Sequence, residues 1–161
     1  MQNLLLLTLM SFTGFGNSVC ECPPPVSVSI AVTNSAAVFS GEVIGEEYEN
    51  LEKDGSRTLV IKLKVMRWWK GSGAAEIYLY TSGRKYANGN TTFMADDFRF
   101  LKGESYLVYA TLKEEKFSTS ACTRTQKLAD ASDDLRELGE GLPPKPRSGD
   151  LRQSDKGLYF P

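Results

Sequence analysis

The chain contains no histidine among its 161 residues. That absence removes Ser-His-Asp and Cys-His catalysis, the common zinc-enzyme ligand sets and histidine pH switching together. With the usual hydrolase routes closed, no catalytic activity is expected. A dominant charge is missing too: 19 Lys plus Arg stand against 20 Asp plus Glu, a net −1 without large single-sign blocks. Nothing here builds the basic field that nucleic-acid binding needs, so no nucleic-acid partner is expected. No apolar run is long enough to span a bilayer. The length suits one domain with a real core and no internal repeat shows. Cysteine is scarce, at three: Cys20, Cys22 and Cys122.

What is present begins with a leader. The first nineteen residues carry no charged side chain, and Leu4 to Met10 is nearly all apolar. That run matches the core of a signal peptide and is too short for a membrane span. The expected organisation is a signal peptide over 1–19, a folded domain over 20–141, and a Pro-rich flexible tail over 142–161. Cleavage after Gly16 puts small residues at both key positions, whereas cleavage after Val19 would make Cys20 the first mature residue. Export implies a secreted, extracellular protein, or a periplasmic or cell-surface one in a bacterium. In an oxidising compartment the cysteines are disulfide candidates, and an odd number leaves one over. For Cys20-Glu21-Cys22 the residues alone leave four roles open: a metal pair, a lipid attachment point at Cys20, half of a disulfide, or a reactive N-terminal edge. Two thiols one residue apart, without histidine, make a poor zinc cage, so no metal or cofactor of its own is expected.

Pro23 to Pro25 force a stiff, extended exit from the cysteine pair. A short helix is expected next, feeding a strand from about Ala37 to Glu46. Asp54-Gly55 marks a turn. From Thr58 to Lys70 the pattern alternates: Ile61, Leu63 and Val65 share one face, Lys62, Lys64 and Met66 the other. Further strands are expected at Ala75–Thr81, Gly103–Leu112 and, shorter, Lys116–Thr125. Gly83 to Arg99 reads as a loop centred on Asn88-Gly89. A helix over Leu128–Gly139 follows, capped by Ser132, with Asp133 and Asp134 favouring its first turn and Gly139 its stop. The fold class is therefore mainly β: a five-stranded OB-like barrel with a short N-terminal helix and a C-terminal helix.

Other residues carry weaker signals. Trp68 and Trp69 adjoin on one strand and so face opposite ways: one is expected in the core, the other either packed under the loop after Lys70 or on an exposed binding surface. Arg67 and Arg124 read as strand-end arginines in a surface ion network. Asp96 and Asp97 lack the spaced oxygen ligands of a calcium loop and read as solvated. Asn90-Thr91-Thr92 fits the N-glycosylation acceptor pattern.

One ordered set of fragments goes further. "CECPPP" after a leader, "AVFSGEV", "VMRWWKG", "GESYLVYA" and "STSACTRT…DLRELG" resemble the TIMP-like netrin-module family from Cys20 to Gly139. The resemblance implies an OB-type barrel and a protein-binding role, extending to inhibition of zinc metalloendopeptidases. It makes the partner an extracellular zinc metalloproteinase and the binding edge Cys20, Glu21, Cys22 and Pro23. The free α-amine and carbonyl oxygen of Cys20 would chelate the protease zinc, and Glu21 would enter the specificity pocket. Cys22 would pair with Cys122. The family's other partner cysteine has no counterpart in Thr81–Gly103, which leaves Cys20 without its usual staple. The alternative is a non-inhibitory cell-surface or lipid-anchored binding module of the same fold, of unknown oligomeric state.

Overall fold

The computed structural model describes residues 22–145; the leader, Cys20, Glu21 and the segment beyond Lys145 lie outside the described residues. In chain order the elements are α1 (Val28–Asn34), β1 (Ala37–Leu51), β2 (Arg57–Lys70), β3 (Glu76–Lys85), β4 (Thr91–Thr92), β5 (Ser105–Lys113), β6 (Lys116–Ser118), β7 (Gln126–Lys127) and α2 (Ser132–Leu138). A 3-10 turn, Leu128–Asp130, leads into α2.

Alternation drives the sheet. Along β2, Ile61, Leu63 and Val65 are buried with Phe39, Val43, Ile77, Leu79 and Val108 in the principal core. Neighbouring strands run antiparallel from β1 to β2 and from β2 to β3, and β1 also pairs with β5. β6 pairs antiparallel with β5 and meets β3 in parallel at Leu79 and Phe117. These five strands close the sheet into a barrel-like ring in the OB-like order β1-β2-β3-β6-β5, with a helix near each end of the chain, as the sequence leads one to expect.

β1 can serve two neighbours because it is strongly bent. Its register against β2 shifts at four places, and such bulges coil a strand. Gly41 sits in this bend, where an added Cβ would come within 3.0 Å of the Lys64 carbonyl oxygen. β1 and β5 are buried on both faces. Phe39, Tyr106 and Val108 point into the ring, while Val38, Leu107 and Tyr109 pack outward with Ala31 and Ala131 beneath the helices. That explains the unbroken apolar run "YLVYA".

Four local expectations are corrected. β1 runs to Leu51, past Glu46, because Glu47, Tyr48 and Glu49 pair with Val60, Leu59 and Thr58 in a ribbon that needs no apolar alternation. The Gly83–Arg99 segment is not all loop: β3 extends to Lys85 and pairs with β4 across a turn in which Gly89 has φ +85°. The last ring strand stops at Ser118, because the hydroxyls of Ser120, Thr123 and Thr125 then take backbone partners in place of a ladder. Ser132 does not cap α2. Ala131 holds that position with no side-chain cap bond, since the 3-10 turn feeds straight into the helix.

Order continues past Gly141. Trp68 and Leu142 exchange both backbone hydrogen bonds, at 2.7 and 2.8 Å, and the Lys145 N–H donates to the Gly73 carbonyl at 2.7 Å. Trp68 lies in the principal core, while Trp69 faces the other way and packs half-buried against the outer cluster, its indole N–H donating to the Gly139 carbonyl at 2.9 Å. No described helix is long and apolar enough to cross a membrane.

Candidate functional site: the stapled N-terminal edge

The chain enters the domain as an exposed stretch, Cys22 to Ser27, stiffened by Pro23, Pro24 and Pro25. Two anchors hold it. Cys22 is disulfide-bonded to Cys122, one hundred residues away. Four residues on, the Val26 carbonyl accepts a 2.8 Å hydrogen bond from the Arg124 guanidinium. A cavity of about 230 Å³ lies beneath, between the prolines and Tyr109, Cys122 and Arg124. α1 then packs down through buried Val28 and Ala31. Its last carbonyls, on Val32 and Thr33, accept from the Lys70 ammonium at 2.8 and 3.1 Å, satisfying a helix end that lacks its own partners.

The loop carrying Cys122 is itself fixed. The Ala121 N–H donates to the Asp96 carbonyl at 2.7 Å, and the Cys122 N–H to the Ser120 hydroxyl at 3.3 Å. Thr119 and Thr125 grip Tyr109 from the same side: the Thr119 hydroxyl donates to its carbonyl at 3.0 Å, and its N–H donates to the Thr125 hydroxyl at 3.0 Å. The loop that carries Cys122 is thereby held to Tyr109 on β5.

Behind the edge stands a buried ion pair. Asp134, only 2% exposed, accepts from the Tyr109 hydroxyl at 2.8 Å and from the Arg124 Nε at 2.9 Å, and also pairs with an Arg124 terminal nitrogen. Burial pushes the Asp134 carboxyl up, but hydrogen bonds from Arg124 and Tyr109 outweigh it and hold the group below its ordinary range. Burial first, then the bond to Asp134, pushes the Tyr109 hydroxyl well up. One guanidinium thus ties α2, β5 and the N-terminal segment together. Arg124 is accordingly half-buried in the fold rather than part of a surface network, while Arg67 is exposed.

The triad of Tyr109, Arg124 and Asp134 escaped the sequence reading, although one signal was available. Ala131, Asp134, Leu135 and Leu138 sit at helical spacing, so Asp134 falls on the apolar stripe of α2, where a carboxylate demands a cation. Of the other candidate residues, Cys22 and Pro23 lie together on this edge, and Asn90 is exposed at the distant turn before β4. Asp97 binds the Ser82 N–H and hydroxyl and the Met94 N–H, organising its own loop. Among the described residues no group of three or more His, Cys, Asp or Glu is placed to hold a metal ion. No protein-family model matches the chain, and no curated protein matches it either.

Proposed function

We propose that this chain is a secreted, TIMP-like, protein-binding domain without catalysis of its own, whose N-terminal edge inhibits an extracellular zinc metalloproteinase. The observation that carries the reading is the double anchorage of an exposed, Pro-stiffened edge by the Cys22–Cys122 disulfide and by Arg124. The part of the edge from Cys22 to Val26 is anchored before binding, which lowers the ordering cost that a flexible segment meets on association. Cleavage after Val19 would present the Cys20 amine and carbonyl oxygen. Together these can displace water from the open position of a protease zinc. Glu21 would then lead into the specificity pocket, at the cost of desolvating its carboxylate.

Two measurements test this. N-terminal sequencing of the mature protein is expected to begin at Cys20, and any other first residue sinks chelation. Titration against a panel of zinc endopeptidases is expected to show inhibition, and a flat response at micromolar protein defeats the inhibitor reading.

One observation favours a second reading. The sequence holds three cysteines, and Cys22 and Cys122 use each other, so Cys20 has no further cysteine in this chain. In that reading Cys20 carries a lipid and the same domain is a tethered, non-inhibitory binding module. An acyl mass on the Cys20 peptide selects it.

A further inference from the structure

On the β2–β3 side of the ring, away from the disulfide, an aromatic pocket of about 350 Å³ opens to solvent. Its floor is rigid. Phe98 and Phe100 each meet Tyr106 edge to face and meet each other tilted, with ring centroids 4.9 to 5.6 Å apart, and the Tyr106 hydroxyl accepts from the Leu101 N–H at 3.0 Å. One wall is Phe93. Its ring lies against Gly83, where an added Cβ would come within 3.0 Å of it, and the Arg99 guanidinium stacks over it at 4.7 Å. Leu101, 56% exposed, forms an apolar lip that water covers poorly.

The charges at the mouth decide what fits. Arg99 makes no ion pair among the described residues; its one recorded partner is the Phe93 ring. Glu46 lines the same pocket and forms no ion pair with Arg99 among the described residues. Arg99 is held by stacking, which leaves its planar donor fork open for a carboxylate. At roughly 30 Å³ per water, the pocket has space for about a dozen heavy atoms. Apolar walls with one oriented polar group are the usual make-up of a small-molecule site, and the mouth of a β-barrel is a usual place for one.

We infer that this pocket binds a small aromatic carboxylate, the ring seated among Phe93, Phe98 and Phe100 and the carboxylate on Arg99. The site is independent of the N-terminal edge and of the function proposed for it. The probe is hydrocinnamate, titrated into the full chain while backbone amide resonances are followed, with phenethylamine and phenylpropanol as comparators. Hydrocinnamate is expected to shift the amides of Phe93, Phe98 and Leu101, and to bind more tightly than either comparator. Arg99→Gln, an exposed position whose loss leaves the core intact, is expected to weaken it about tenfold, the scale of one charge-assisted hydrogen bond. Glu46→Gln is expected to tighten it by removing a like charge, and keeps the test decisive should the Arg99 variant fold poorly. Equal or tighter binding of phenethylamine, an unchanged affinity in both variants, or no shifts at saturating probe overturns the inference.

Discussion

Asp134 sits in a helix stripe that would otherwise be apolar, and only its partners make that tolerable. Replacing it with Asn keeps the volume but strands the Arg124 guanidinium, and removing one partner of a buried pair costs about 3 kcal/mol. Urea unfolding of Asp134→Asn at neutral pH should show that loss. The acid limb follows from sign. The folded Asp134 carboxyl titrates below its unfolded value, so its stabilisation is complete above the ordinary carboxylate range, about pH 3.9, and drains as pH falls through the lower folded value. The wild-type urea midpoint should therefore fall more steeply below about pH 4 than that of Asp134→Asn. Tyr109 acts at the other extreme: its raised value leaves stability intact below about pH 10 and erodes it above. Glu114 and Glu115 are the other conspicuous residues, with φ of +49° and +62° in the β5–β6 turn. Left-handed geometry costs an ordinary residue about 1–2 kcal/mol. Changing the pair to Asn-Gly should recover about 1 kcal/mol, read as a higher melting temperature.

β2 was legible because Ile61, Leu63 and Val65 alternate against lysines, and the β1–β2 turn because Asp54-Gly55 is a direct turn signal. β5 was legible as a strand, but its double-sided burial was not, since periodicity cannot say that α1 and α2 cover its outer face. β6 was overextended because Thr119 to Thr125 look β-prone, whereas their hydroxyls bind backbone instead. At the edge, the Cys22–Cys122 pairing came through family resemblance. The Arg124 bond to Val26 came from nothing in the sequence, because ninety-eight residues separate the partners. The strand-like pairing of Leu142 with Trp68 was hidden by the surrounding prolines. It has a measurable consequence: a chain ending at Gly141 loses both hydrogen bonds to buried Trp68 and should be less stable by about 2 kcal/mol than one ending at Lys145. Denaturant unfolding of the two truncations decides it.

The disulfide and the ring are separable. A hundred-residue loop is worth up to about 4.7 kcal/mol in the chain-entropy picture. The contacts that close the ring lie elsewhere, along β1–β5 and β3–β6. The double variant Cys22→Ser/Cys122→Ser should therefore keep its far-ultraviolet signature and melt lower. The ring's own weak point is different. β3 and β6 are joined at a single parallel pair, Leu79 with Phe117, whereas β1 and β2 share a dozen. Where so little pairing shuts a cylinder, another copy can supply the missing strand. With the strained Glu114-Glu115 bend as a hinge, crowded refolding of the Cys22→Ser/Cys122→Ser chain should yield molecules that have traded the whole segment from β6 to α2, seen as a dimer on size exclusion that the relaxed Asn-Gly turn suppresses.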